Sequence, residues 1–389
     1  MRIAMVAYTL YACDPRVKRA ACALAENGYQ VDVFSVYDGA VPEASQDSEP
    51  SSLHLLRMRK KQSGMARLLV EYGVFFAWAS ARVGFLHVRR GYDIVYVHNM
   101  PNFLVFTGLL PKLGGAKIVL DVHDPGAELL ADMRGHDLGW FTRRLLDAEE
   151  RTSISFADAL ITVNEAMRRR LATVTAMPVK VVMNLPDHRP FDRPSAGGGA
   201  GDLAWLVYSG SVAHRNGVDL IVTALSMLAD EFGHLRLRIV GDGPALAPVR
   251  RLAEELGVTD RVQFSGFVPS EHIPALVRGA VAGISAQRGG PFGSLVFSMK
   301  VPDYVALGLP VICSGIATMR HYFSDGELLF FEPDDAADLA RAIRALLADP
   351  AAAAERAVRA RVKLDKLDWT AQKETLVKTV NALAGIRGR

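Results

Sequence analysis

Cysteine is scarce and unpatterned in this sequence. Cys13, Cys22 and Cys313 are spread over 389 positions. The number is odd and no spacing matches a ligand pair, which excludes a disulfide framework or a cysteine-bound zinc and predicts reduced thiols. An excess of one charge is missing as well. Lys and Arg total 45 against 42 Asp and Glu, a net charge of +3, so bulk charge offers no case for nucleic acid. There is no unbroken apolar run of about 18 residues, the length a spanning helix needs. The nearest approach, 64–90, is interrupted by Glu71 and Arg82. The first ten residues are too short and too soon interrupted for a signal peptide, so a cytoplasmic address is expected.

What is present is an ordinary globular balance, 50% hydrophobic and 22% charged, in a chain long enough for two cores. Apolar strand patterns at 3–7, 31–36, 94–98, 118–123, 159–163 and 179–183 alternate with helical stretches. Asp14 is a natural N-cap, Pro15 suits the first helical position, and Gly28 follows the helix end. A Pro-, Gly- and Asp-rich stretch, 186–202, reads as a linker. Strand–helix alternation then restarts at 205–208. Such alternation predicts parallel sheets covered by helices, joined by right-handed crossovers. The fold class is therefore α/β, with two doubly wound Rossmann-like domains at 1–185 and 203–350. A helical segment, 351–389, closes the chain and is a candidate to pack back on the first domain. Ligands in such sheets bind beyond the carboxyl ends of the strands, so the active site is expected in a cleft where the domains face each other.

Several segments carry chemistry. Lys300 and Asp303 stand three apart at the start of a short helix, hence on one face, ahead of the apolar strand 311–313. The lysine suits a phosphate and the carboxylate a pair of sugar hydroxyls; a solvated ion pair is the plainer reading. The loop 208–217, YSGSVAHRNG, joins a strand to a helix. Gly210 and Ser211 let backbone N–H groups approach an anion, and Arg215 adds a full charge. A second glycine-rich loop, 241–244, reads first as a structural turn. His123, in VLDVHDPGAE, sits at a strand's carboxyl end beside Asp121 and Asp124, placed to donate to a sugar hydroxyl. His98 ends the preceding strand, and Asp14 and Arg16 follow the first one. No Asp-x-Asp pair follows a strand, so a metal-held diphosphate is not indicated and no metal ligands are assigned. The 64–90 segment has two readings. It is either a helix packed on the sheet, or one that also lies in the membrane interface. In the second reading Trp78 and the Phe residues dip in while Lys60, Lys61, Arg67, Arg89 and Arg90 meet anionic head groups.

In order and spacing, the segments DPRVKRAACALAENGYQVDV, KIVLDVHDPGAE, IVGDGP, RVQFSGFVP and MKVPDYVALGLPVI resemble glycosyltransferase family 4, the retaining enzymes of the GT-B fold. The resemblance covers nearly the whole chain. It implies transfer of a sugar from a nucleotide diphosphate donor, with UDP the expected nucleotide, to a hydroxyl of a lipid-linked or envelope glycan. Neither metal nor cofactor is implied, because the nucleotide-sugar is a substrate. Asp303 matches the second glutamate of the family's paired-glutamate signature, a clamp on the donor ribose. Lys300 matches the lysine of the related P-x-K-x-x-E-Y form, and His123 the histidine near the reacting carbon. Phe267 and Val268 fall where the base is received, and Gly210 and Ser211 in the diphosphate loop. The chain departs from the pattern at Leu295, where the first glutamate is expected. Ser294 or backbone N–H groups are then left to meet the sugar hydroxyls. Ser211 and Asn216 replace the usual basic pair, leaving Arg215 as the substitute. Three alternatives stay open: a small natural-product acceptor, a nucleotide-sugar epimerase of the same fold, and a non-catalytic glycosyltransferase partner.

Overall fold

The computed structural model describes residues 1–39, 51–58, 65–135, 137–185, 203–269 and 272–385. The linker reading at 186–202, and Lys60 and Lys61, lie outside these. The chain divides into two compact units, Met1–Asn184 with Thr370–Arg389, and Leu185–Trp369.

The first unit is built on seven strands: β1 Arg2–Leu10, β2 Gln30–Tyr37, β3 Ser52–Arg57, β4 Ile94–His98, β5 Lys117–Val122, β6 Ala159–Thr162 and β7 Val179–Val181. They pair in the order β3-β2-β1-β4-β5-β6-β7, parallel at every junction. The first helix, Pro15–Glu26, starts as its sequence dictates: the Asp14 carboxylate accepts the N–H groups of Arg16 and Val17. The 102–113 segment winds in two parts. Asn102–Gly108 is a 3₁₀ helix that passes into a short α-helix, Leu109–Leu113. The Met65–Arg90 helix packs on the sheet through Phe75, Ala79, Val83 and Leu86, all buried. Of the closing segment, Pro350–Asp365 belongs to the second unit, where the Arg361 guanidinium donates to the Ala306 carbonyl at 3.0 Å. The final helix, Trp369–Leu383, packs on the first unit: Gln372 accepts the Met183 N–H at 2.8 Å, and Tyr29 bonds Asn381.

The second unit repeats the plan with β8 Ala204–Ser209, β9 Leu235–Val240, β10 Val262–Gly266, β11 Ala282–Ser285, β12 Val311–Ser314 and β13 Leu329–Phe331. The order is β10-β9-β8-β11-β12-β13, again all parallel. In each sheet the winding reverses once, between β1 and β4 and between β8 and β11. Beyond the strand ends at such a reversal the flanking loops splay apart, leaving room for a ligand. Both clusters of chemistry-bearing residues lie at these two points.

Candidate functional site

In the second unit the cluster begins where β8 ends. Gly210 has φ +129° and Gly241 φ +150°, and the two are stacked: a Cβ on Gly241 would stand 1.8 Å from the Gly210 carbonyl oxygen. The Gly210 N–H donates to the Val240 carbonyl and the Val212 N–H to that of Asp242, each at 2.9 Å. The 241–244 loop is thus the structural support of the 208–217 loop. Lys300, first residue of the Lys300–Ala306 helix, runs beneath Gly210, its Cε 3.0 Å from where a Cβ there would lie. Its ammonium stands 5.2 Å from the centre of the Tyr208 ring. Burial first, then the Arg215 charge, draws its pKa down to about 8, with Asp303 and Cys313 pulling the other way. A lysine in that state has given up solvent without a full counter-charge, so an incoming anion gains what the protein leaves unsatisfied.

Arg215 is half-buried in a 3₁₀ turn, His214–Asn216. Its carbonyl accepts the Arg288 N–H at 2.9 Å, and the Arg288 guanidinium is held by Asp334 at 2.8 Å and by Asp219. Tyr304, fully buried, accepts the Ser209 N–H at 2.7 Å and lies flat against Gly283. It thereby fixes the end of β8. Ser211 is exposed, and its carbonyl accepts from the Tyr208 hydroxyl and the Asn216 amide, each at 2.6 Å. Asp303 is exposed one turn from Lys300. Phe267 is 79% exposed and Val268 half-buried, just past β10. Ser294 and Leu295 are half-buried after a short helical turn, Gly290–Gly293, and the Ser294 carbonyl takes the Thr318 hydroxyl.

In the first unit, β4 and β5 run in register with His98 opposite Asp121. Residues two apart on a strand share a face. Tyr96 and His98 therefore project with Asp121 and His123 into one buried cluster. The Tyr96 hydroxyl donates to Asp121 Oδ2 at 2.7 Å, and His98 Nδ1 lies 2.9 Å from His123 Nε2. The two imidazoles stack with 15° between planes. Burial draws His98 down to about 3 and His123 well below the usual imidazole value, and it pushes Asp121 up to about 7. Both rings are therefore neutral at pH 7. Asn99 ties the two strand ends together, accepting the His123 N–H at 2.7 Å and donating to the Asp124 carbonyl at 2.8 Å. A cavity of about 450 Å³ opens here, lined by Tyr8, Asp14, Arg16, Glu71, His98 and His123 among others. Asp14 and Arg16 are 3.6 Å apart and the Tyr8 hydroxyl donates to Glu71 at 2.9 Å.

His98 is thus as much a member of the cluster as His123. Residue chemistry alone does not single out Tyr96, Asn99, Tyr304 or Arg288. Tyr96 and Asp121 carried a usable signal, the period of two that each shares with a histidine; Arg288 carried none. The membrane-interface reading is corrected in one respect. Phe75 is wholly buried and Trp78 half-buried against Phe34, so neither is free to insert. Among the described side chains of that helix, the large apolar ones left exposed are Leu69, Val70, Val74, Phe85 and Val88.

Two Rossmann-like units, each with its chemistry at the winding reversal, make up the two-domain α/β fold of the GT-B class. Among solved structures, sucrose-phosphate synthase from Thermosynechococcus elongatus superposes over 100% of both chains with TM-score 0.76 at 19% identity. Anabaena HepE in complex with UDP covers 98% of this chain and 100% of its own, TM-score 0.72, at 14% identity. The glycosyl transferase 4-like domain model matches 13–186, and the glycosyl transferases group 1 model matches 197–363. The 2-deoxystreptamine glucosyltransferase of Streptomyces kanamyceticus is 26% identical over 86% of this chain and 89% of its own. A GDP-mannose-dependent alpha-(1-6)-phosphatidylinositol monomannoside mannosyltransferase from Mycolicibacterium smegmatis is 27% identical over 68% and 70%. The chain belongs to the group 1 glycosyltransferases of family 4 type, enzymes of EC class 2.4 that use nucleotide sugars.

Proposed function

We propose that this enzyme transfers a sugar from a UDP-linked donor to a hydroxyl of a lipid-linked or envelope glycan, with retention of anomeric configuration and without a metal. The observation that carries the donor half is the anion cradle of the second unit: Gly210 backbone, Lys300 beneath it and Arg215 beside it. These groups are charged or polarised before the reaction, so they favour the growing charge of a leaving diphosphate over the bound donor. The diphosphate in turn helps take the acceptor proton in a front-side displacement. Asp303 is the ribose clamp and Phe267 with Val268 the base-receiving segment. His123 donates to a sugar hydroxyl, and Ser294 takes contacts that Leu295 cannot make. UDP as the donor nucleotide has support from HepE, solved with UDP and with UDP-glucose.

Incubating the purified enzyme with UDP-, GDP-, ADP- and TDP-sugars tests this reading. Slow release of free UDP from a UDP-sugar is expected. A changed nucleotide sugar with no free nucleotide would make it an epimerase, and binding without turnover a non-catalytic partner.

The acceptor half rests on the outer face of the Met65–Arg90 helix. By length and composition, 67–90 would suffice to cross a membrane, yet its inner face is committed to the sheet. Val70, Val74, Phe85 and Val88 form an exposed stripe, and Leu109, Leu110 and Leu113 on the adjoining Leu109–Leu113 helix extend it. Arg67, Arg82, Arg89 and Arg90 flank it, all exposed. An apolar strip with basic flanks suits an anionic leaflet, which supports a position on the cytoplasmic side of the membrane. The mannosyltransferase relative, named for a phosphatidylinositol mannoside, supports a lipid-linked acceptor. A small acceptor is the second reading, favoured by the 2-deoxystreptamine relative. Val74→Asp with Val88→Asp is expected to abolish co-sedimentation with vesicles rich in anionic lipid while leaving thermal stability intact. If the unaltered chain fails to sediment with them, the membrane reading is wrong.

A further inference from the structure

The carboxyl ends of β4 and β5 bring three ligand-type atoms into a compact buried triangle. His98 Nδ1 and His123 Nε2 are 2.9 Å apart, and Asp121 Oδ2 lies 3.4 Å from the first and 3.5 Å from the second. Imidazole nitrogen and carboxylate oxygen bind zinc at about 2.0–2.1 Å, so neighbouring ligands of a tetrahedral ion stand about 3.3–3.4 Å apart. The triangle has nearly those edges already. A point about 2.0–2.1 Å from all three atoms exists slightly off their plane, as the apex of such a site requires.

We propose that His98, Asp121 and His123 form a binding site for one divalent first-row transition ion of the zinc type. The donor set suits that class: two imidazoles and one carboxylate, their ligand atoms all close to one another. A hydrogen-bonded histidine pair alone has no need of a carboxylate nearly equidistant from both facing nitrogens. The Tyr96 hydroxyl, donating to Asp121 Oδ2 at 2.7 Å, orients the carboxylate as an outer partner of a metal ligand does. Within this cluster, Asp121 Oδ1, His98 Nε2 and His123 Nδ1 are buried without a hydrogen-bond partner. The first is free to serve as a second carboxylate oxygen on the ion. The other two are the ring positions that must carry the protons once the facing nitrogens take a metal. His98 and His123 also line the 450 Å³ cavity, which supplies both an entry path and room for an exchangeable fourth ligand.

The ion takes no part in the metal-free transfer proposed above, and its consequence for turnover rests on that reading. If His123 meets the donor sugar, an ion on its Nε2 removes that contact, and zinc becomes an inhibitor. The test uses the full chain without an affinity tag, stripped by a chelator and titrated with cobalt(II). One equivalent should bind, giving the intense visible absorption of low-coordinate cobalt, which zinc then abolishes by displacement. Asp121→Asn and His98→Gln should each lose that absorption, and Tyr96→Phe, which keeps all three ligands, should weaken binding by about 10–100-fold. Absence of the cobalt spectrum, or the same spectrum in both ligand variants, would overturn the site. Zinc should also reduce turnover at least tenfold at saturation. Binding at the triangle with turnover unchanged would leave the site standing and overturn the sugar-facing role of His123.

Discussion

Lys300→Ala is expected to lower kcat/KM for the nucleotide sugar by about a thousandfold without lowering the unfolding temperature. An ammonium about 4 Å from a phosphate oxygen gains about 4 kcal/mol at an effective dielectric near 20. Each 1.4 kcal/mol is about tenfold in rate, so about three orders of magnitude depend on this one charge. Stability should not suffer, because the folded protein holds this lysine at a cost. Its pKa is drawn from 10.5 to about 8 by burial and by Arg215. Between those values the unfolded chain binds the proton and the folded one does not. Stability from this group therefore rises as pH climbs from about 8 to 10.5, and the penalty is in full force below pH 8. The same shift predicts that kcat/KM falls above pH about 8 as the free enzyme loses the ammonium, a break that the alanine variant should lack. Steady-state kinetics across pH, with thermal unfolding of both proteins, measures all of this. An alanine variant within tenfold of the parent would remove Lys300 from phosphate recognition.

Gly241→Ala should be the most damaging single methyl in the second unit. The new Cβ would stand 1.8 Å from the Gly210 carbonyl oxygen, and φ +150° is a conformation that side chains rarely adopt. Nothing flexible can yield, since the obstruction is backbone, and Gly210 is pinned by its own bond to Val240. We expect a loss of about 3 kcal/mol or more, from overpacking and backbone strain together. For a unit of this size that is a fall of about 10 °C in Tm. Donor binding should go with it, because the displaced carbonyl belongs to the loop proposed to receive the diphosphate. Gly257→Ala is the control. Its φ is +68° but no atom lies within 4 Å, so it should lose only about 1 kcal/mol. Calorimetry with and without UDP separates the two. Equal, small shifts would mean that the two glycine loops do not support each other.

Much of this enzyme is legible in its local sequence because local physics decides it. The Asp14–Pro15 start, the apolar runs of β1, β4 and β5, and the i,i+3 placement of Lys300 and Asp303 follow from capping, burial and helix geometry within a few residues. Ser52–Arg57 and Leu329–Phe331 are edge strands of their sheets, and the first is only partly buried, so its hydrophobic signal is weak. Asn102–Gly108 winds as a 3₁₀ helix pressed against β4 and β5, a choice made by tertiary packing rather than by propensity.

What the sequence by itself determined was the alternation of strand and helix, the ends of the elements and the kinds of side chain at the strand termini. What only the tertiary structure decided was which termini meet. Lys300 lies about 90 positions from Gly210, and His98 is 25 positions from His123. Nothing local relates them. The strand order does, by setting β4 beside β5 in register, and so does the closeness of two glycine backbones that tolerate no Cβ between them. Side-chain chemistry is encoded residue by residue, whereas proximity is a property of the whole sheet, formed only when distant strands pair.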